Sequence, residues 1–190
     1  MCLDRMTIDF ESFLEYTNYR IKGEQMKLIV TQGGNREYAD QCIAIAEQHH
    51  VTNGGTLQFT QIVKYAHYLV CALDDDKVVG YVGLVENGII DSDLYICQIT
   101  VDKEYAHQGI GTQLLDYVLH HSKKYKLVTS SVLAYNEYSQ KLHEKLGFVV
   151  LKNNQYQYQY IRMTQDVVGN QELRFGDEID LYWDNKKELV

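Results

Sequence analysis

The amino-acid sequence predicts an α/β fold of the α+β type, with a mixed, mostly antiparallel central sheet of about seven strands flanked by helices. Two apolar, β-branched runs, 67–74 and 77–86, surround the acidic pair Asp75-Asp76, which is typical of a β-hairpin. The segment 93–135 reads as strand, helix and strand, which indicates a crossover between parallel strands. A mixed sheet with helices on both faces accommodates both units.

Hydrophobic periodicity and turn residues assign the other elements along the chain. The run QYQYQYIRM alternates strictly, so a strand is preferred there, and Gly147 ends the helix before it. The predicted elements are helix 7–19, strand 27–32, helix 37–49, strand 56–63 with a helix as the alternative, strands 67–74, 77–86 and 92–101, helix 109–125, strand 126–135, helix 137–146, and a hairpin of strands 148–154 and 155–165.

The chain has 190 residues, which is the length of one domain with its own hydrophobic core. We divide it into an N-terminal helical extension (1–26), the main domain (27–165), and a C-terminal strand and tail packed on the same domain (166–190). The two terminal parts are candidates for shaping a substrate groove or a homodimer interface.

Composition and charge narrow the class of protein. No apolar run approaches the roughly 18 residues that span a bilayer, and the N-terminus lacks an apolar signal region, so we expect neither a membrane protein nor a secreted one. The 4 cysteines form no CxxC pair, which favours a reducing cytoplasm. The net charge of −8 argues against nucleic-acid binding and suits a cationic substrate. The histidine pairs carry no metal-binding motif, so no metal is expected.

A glycine-containing turn in the stretch ITVDKEYAHQGIGTQLL (99–115) follows a predicted strand and opens a predicted helix. Gly109 and Gly111 let backbone N–H groups approach an anion closely, and the helix N-terminus adds the positive end of its dipole. The same letters also suit a turn with no ligand. Leu114 stands where a dinucleotide-binding fingerprint needs its third glycine, and the Gly-Lys-Ser/Thr of a phosphate-binding P-loop is absent.

A second stretch, NEYSQKLHEKLGF (136–148), follows after one helix and one strand. Together the two stretches resemble the GNAT superfamily of acetyl-coenzyme A dependent N-acetyltransferases. That superfamily has Arg/Gln-x-x-Gly-x-Gly/Ala after its fourth strand and Asn-x-x-Ala-x-x-Leu-Tyr-x-x-x-Gly-Phe downstream. The match extends over roughly 27–165 in predicted secondary structure. It departs at Ala106, where the superfamily has Arg or Gln, and at His143, where many members have tyrosine.

The resemblance implies a coenzyme A site. The pyrophosphate would bind to the backbone of the glycine turn, with His107 and Gln108 as side chains that compensate for Ala106. The pantetheine arm and thioester would pair with the main chain of Ile99 and Val101, near Asn136 and Ser139. The turn residues that would hold the pyrophosphate are Gln108, Gly109, Ile110, Gly111 and Thr112.

The resemblance also places His143 where a general acid would protonate the leaving thiolate, and a passive or coenzyme-contacting role stays open. On a helical wheel Tyr138, Leu142 and Leu146 form the buried stripe, with His143 on its flank. Glu86 and Asp93, at two strand ends, are the candidates for general base.

The predicted function is an N-acetyltransferase in which a primary amine attacks acetyl-coenzyme A directly in a ternary complex. The acceptor would be a small cationic amine, with a protein lysine or N-terminal amine as alternatives. A coenzyme A binding regulatory module with weak or no catalysis is the alternative from another class.

Overall fold

The computed structural model describes residues 17–21, 24–32, 36–49, 56–86, 93–122, 125 and 127–163. The strands in this part of the chain are β1 (Thr17–Ile21), β2 (Glu24–Gln32), β3 (Tyr68–Asp74), β4 (Lys77–Glu86), β5 (Asp93–Val101), β6 (Leu127–Leu133), β7 (Val149–Asn153) and β8 (Gln157–Met163). The helices are α1 (Arg36–Gln48), α2 (Thr56–Tyr65), α3 (Ile110–His121) and α4 (Glu137–Lys145), with a short 3-10 helix at Lys103–Tyr105.

The strands form one sheet in the order β1-β2-β3-β4-β5-β6-β8-β7. Only the β5–β6 pair is parallel among these neighbours, and α3 makes the crossover between its two strands. The hairpins β3–β4 and β7–β8 are antiparallel. The predicted mixed, mostly antiparallel sheet and its crossover are therefore confirmed.

Helices cover the sheet on both faces because each presents an apolar stripe. On α1 the stripe contains Ala39, Cys42 and Ala46, which pack with β3 and β4 in one cluster of buried residues. On α3 the stripe contains Leu114 and Val118, which pack with β2, β4 and β5 in a second cluster. Spacings of three and four residues place such side chains on one side of a helix. None of the helices described is long and apolar enough to cross a membrane.

Two elements differ from the sequence-based prediction. The helix expected over 7–19 is wrong at its end, because Thr17–Ile21 is a strand whose β-branched and aromatic residues alternate with polar ones; residues 7–16 lie outside the described part. The segment 56–63 is helical, the alternative considered above: Val63 is buried, Lys64 beside it is exposed, and α2 packs on α1.

One domain limit drawn from the sequence is wrong, and another cannot be compared with the described residues. The boundary after residue 26 falls inside β2, which joins β1 to the main sheet. The tail 166–190 lies outside the described residues.

A β-bulge in β5 opens the sheet at its centre. Gly83 of β4 lies opposite Gln98, and Leu84 lies opposite Ile96, so Cys97 is an extra residue on β5. The parallel pairing of β5 with β6 runs from Asp93 to Ile96, which lies opposite Ser130, and stops there although both strands continue. The two strands therefore leave a gap beyond the bulge.

Candidate active site

A cavity of about 440 Å³ occupies the gap between β5 and β6. Its walls are β5 from Ile96 onward, β6 from Ser130 onward, one side of α4 between Tyr138 and His143, His49, and single residues of α1 and α3. Of the site residues predicted from the sequence, six line it: Ile99, Val101, Gly111, Asn136, Ser139 and His143. The structure thus brings the strand, the glycine turn and the second motif together around one space.

The backbone of β5 faces this cavity at alternate residues. The N–H of Asp102 donates to the carbonyl of Val79 on β4 at 2.9 Å, so the backbone of Asp102 points away from the cavity. Because backbone groups alternate in direction along a strand, those of Ile99 and Val101 point toward the gap. One of these backbone groups already has a partner. The exposed imidazole of His49, directly after α1, donates from Nε2 to the Val101 carbonyl at 2.8 Å. No local sequence pattern indicates this contact of His49.

The glycine turn has the backbone geometry of an anion site. Gly109 precedes α3 with φ of 87°, a left-handed conformation that glycine adopts readily, and a Cβ there would meet no atom within 4 Å. The first helical bond runs from the N–H of Gln113 to the carbonyl of Gly109 at 3.1 Å. The N–H groups of Ile110, Gly111 and Thr112 therefore have no acceptor within the helix.

Side chains around the turn are already engaged. His107 has a positive φ of 61°, and its ring meets that of Tyr138 edge-on, with centroids 5.7 Å apart. The amide of Gln108 donates to the carbonyl of Glu104 at 3.4 Å, and the side chain of Ile110 is buried in the core. The contribution that this turn offers to an anion comes mainly from the main chain.

The second motif caps and orients α4. The side-chain oxygen of Asn136 accepts from the N–H of Ser139 at 3.1 Å, which is a standard N-cap bond. The expected buried stripe is corrected at Tyr138, whose side chain is exposed, whereas Leu142 and His143 are the buried residues of α4. The helix is rotated relative to the wheel prediction because its inner side covers the cavity as well as the core.

His143 is fully buried, with an exposed fraction of 0%. Its Nδ1 lies 2.7 Å from the carbonyl oxygen of Ser139, and its Nε2 lies 3.0 Å from the hydroxyl of Ser130. A carbonyl only accepts, so Nδ1 carries the hydrogen and Nε2 of the neutral ring accepts from Ser130. Burial lowers the pKa of His143 below its ordinary value of 6.5, although the bond to Ser139 opposes that shift.

The two predicted general bases lie off the cavity wall. Glu86 accepts from the hydroxyls of Tyr125 and Tyr68, and buried Asp93 accepts from the hydroxyl of Thr129 at 2.5 Å. Among the described residues the cavity lining contains no carboxylate, and the described residues contain no group of three side chains suited to a metal ion. The structure therefore brings neither carboxylate to the site.

Cys97 is the thiol that lines the cavity. It lies at the bulge, and burial raises its pKa to about 12. A thiol with such a pKa is protonated at neutral pH and is a poor nucleophile. Cys97 therefore behaves as a small apolar residue of the cavity wall.

A comparison with known protein families finds a match over the part of the chain that contains both motifs. The family described as "Acetyltransferase (GNAT) family" matches residues 35–148, which include both the glycine turn and the second motif. A search of curated protein sequences finds no significant match.

Solved structures of low sequence identity share the fold. A ribosomal-protein alanine N-acetyltransferase from Escherichia coli is 15% identical, with a TM-score of 0.61 over 76% of this chain and 98% of that one. The PaiA N-acetyltransferase from Thermoplasma acidophilum, solved with coenzyme A, is 15% identical, with a TM-score of 0.56 over 72% and 98%. An aminoglycoside 6'-acetyltransferase of type Ii is 15% identical, with a TM-score of 0.57 over 73% and 98%.

The family match covers more than half of the chain and both halves of the site, and the fold agrees with it. The chain therefore belongs to the acetyltransferase (GNAT) family and is an acyltransferase.

Proposed function

We propose that this protein transfers an acetyl group from acetyl-coenzyme A to a primary amine by direct attack in a ternary complex. The observation that carries the proposal is the stretch of β5 beside the glycine turn that pairs with β4 on one side and, beyond Ile96, no longer pairs with β6 on the other. Backbone groups of Ile99 and Val101 face a cavity large enough for an extended thioester, and the free N–H groups of the first turn of α3 lie next to it. The family uses acetyl-coenzyme A.

The pyrophosphate of coenzyme A would bind to the backbone of the turn, from Gln108 to Thr112. Helix N-termini with unsatisfied N–H groups bind phosphate without a positively charged side chain, so the loss of an Arg or Gln at Ala106 is tolerable there. The open space around Gly109 leaves room for an anion to approach the main chain. His107, beside Tyr138, is placed to add a donor at the rim of this site.

The pantetheine arm would lie along β5 and complete the sheet locally. Its amide groups would pair with Ile99 and Val101, and the acetyl carbonyl would be polarised by a β5 backbone N–H. Asn136 and Ser139 line the opposite side of the same cavity. Holding the thioester and the amine together removes most of the entropic barrier to their reaction.

A covalent acetyl-enzyme is not part of the proposal. The cavity thiol, Cys97, is kept protonated by burial. Direct attack by a neutral amine on the thioester needs no such intermediate.

We further propose that the acceptor is a small cationic amine. The net charge of −8 would attract such a substrate. Exposed tyrosine rings at the cavity, Tyr135 and Tyr138, are suited to cation–π contact with it. Two of the proteins with a similar fold act, by their names, on an aminoglycoside and on a ribosomal-protein alanine. The fold is therefore compatible with both small and protein acceptors.

The test is a steady-state assay with acetyl-coenzyme A and a panel of amines: polyamines, aminoglycosides, lysine peptides and peptides with free N-termini. Release of coenzyme A and the mass of the acetylated product are both recorded. We expect the highest kcat/KM with a small polycationic amine. A peptide preferred over every small amine would overturn the acceptor class. Tight coenzyme A binding with no turnover on any amine would favour the regulatory module instead.

A further inference from the structure

A continuous hydrogen-bonded chain leads from the cavity into the core. It starts at the hydroxyl of Ser130, passes through both ring nitrogens of His143, and ends at the backbone carbonyl of Ser139. Ser130 and His143 are both buried, with exposed fractions of 2% and 0%, yet both line the cavity. Ser130 lies opposite Ile96 in the last residue pair before β5 and β6 separate. The hydroxyl therefore stands at the apex of the gap.

The bond at Nδ1 decides which direction protons can move. Because Nδ1–H is held by the Ser139 carbonyl, the resting neutral ring has a bare Nε2 that accepts from Ser130. A neutral imidazole in this tautomer cannot donate from Nε2, so it cannot begin as a general acid. It can begin as a base, and the described lining of the cavity offers no carboxylate for that role.

We propose that Ser130 and His143 form a proton shuttle that first takes the proton of the attacking amine and then returns it to the leaving thiolate of coenzyme A. This inference rests on the acetyl transfer proposed above. Ser130 would be the catalytic residue in contact with the reacting atoms, and His143 would act through it.

The shuttle balances in two steps. The amine nitrogen forms a bond to the acetyl carbonyl carbon, and the resulting ammonium gives one proton to the Ser130 oxygen while the Ser130 hydroxyl proton moves to Nε2 of His143. The tetrahedral intermediate then collapses, the carbon–sulfur bond breaks, and its electron pair leaves on sulfur. The imidazolium returns its proton through Ser130 to the thiolate. The products are the amide and the free thiol, and the ring is neutral again.

Two aromatic rings pack against the imidazole of His143. Tyr160 of β8 lies against the ring, with centroids 5.2 Å apart, and Phe148 contacts it on another side at 5.0 Å. The hydroxyl of Tyr160 donates to the carboxylate of Glu144 at 3.3 Å, which makes Glu144 the acidic group connected to this pocket. An imidazolium there is supported by the hydrogen bond from Nδ1 to the Ser139 carbonyl.

The first measurement does not depend on activity. The ¹⁵N chemical shifts of the His143 ring in the full-length protein report which nitrogen carries hydrogen. We expect a protonated Nδ1 and a bare Nε2 at neutral pH. A protonated Nε2 would overturn the shuttle, because that ring would already be donating to Ser130.

The second measurement is a mutant cycle of S130A, H143Q and the double variant on the best amine. Each single variant is expected to lower kcat by about 100-fold or more, the scale of general acid–base catalysis. The double variant should be no slower than the slower single one, because both act in one chain. S130T, which keeps the hydroxyl, should recover most of the loss. S131A, which removes the next hydroxyl along β6, should lose much less than S130A.

The outcomes separate the shuttle from the proposed reaction. S130A with wild-type kcat, or losses from S130A and H143Q that multiply in the double variant, would overturn the shuttle while acetyl transfer stands. With the concentration of neutral amine held constant, the wild-type kcat/KM should fall in acid as the ring becomes protonated, and H143Q should lose that limb; an unchanged limb would count against the shuttle. A wild-type protein inactive on every amine would overturn the proposed function itself.

Discussion

Replacing Gly109 by alanine tests the anion site through the backbone alone. The new Cβ would meet no atom within 4 Å, so the substitution introduces no clash. Its effect comes from φ of 87°, because a left-handed conformation costs an L-residue about 1–2 kcal/mol. If the turn relaxes to relieve this strain, the N–H groups of Ile110, Gly111 and Thr112 lose their alignment. Restoring the alignment on binding would cost this free energy again and would raise the Kd for coenzyme A by roughly 5- to 30-fold.

Gly147 supplies a matched control on the other side of α4. Its φ is 79°, and a Cβ there would approach the Arg162 side chain no closer than 3.8 Å, so G147A carries a similar backbone strain without touching the turn. Isothermal titration with coenzyme A measures binding, and thermal unfolding measures stability. We expect both variants to be destabilised by about 1–2 kcal/mol and only G109A to bind coenzyme A more weakly. Equal coenzyme A affinity in G109A and G147A would refute the phosphate role of the turn.

Three further outcomes follow from the site. C97A should keep the wild-type turnover, since its thiol stays protonated; loss of turnover in a steady-state assay would point to a covalent intermediate. D93N should lower the free energy of unfolding in urea by about 1–3 kcal/mol through the bond to Thr129 and leave turnover intact; the reverse pattern would restore Asp93 as a base. Folding lowers the pKa of His143 from 6.5, so the unfolded state binds its proton first and the free energy of unfolding should decline as the pH falls below about 6.5. In denaturant titrations H143Q should flatten this pH dependence, and an unchanged pH dependence would contradict the burial of His143 as a neutral ring.

The fold was predictable where the local pattern and the tertiary environment agree. The helix expected over 109–125 and the hairpin of β3 and β4 lie within a few residues of prediction, because their apolar spacing matches the faces that they bury. The prediction fails at 17–19 because the alternation of Thr17, Tyr19 and Ile21 is short and directly follows apolar residues at helical spacing. At 56–63 alternation and helical spacing coexist, and packing on α1 decided between them.

The site was predictable only in its outline. The two motifs located the turn and α4, but the rotation of α4 that buries His143 depends on how the helix covers the gap between strands. Ser130 has no local signal, because its importance arises from its place opposite Ile96 at the end of the parallel pairing. His49 reaches Val101 from a distant part of the sequence, and such contacts follow from tertiary packing alone.

The bulge at Cys97 lowers the stability of the sheet where it makes room for the site. If β5 were regular and its pairing with β6 continued past Ser130, each added backbone hydrogen bond would stabilise the fold by about 0.5–1.5 kcal/mol. That protein would be more stable and would have no place for a substrate. The sheet therefore lacks backbone hydrogen bonds that two regular strands would form at its centre. Selection for thermal stability alone would favour closing the gap.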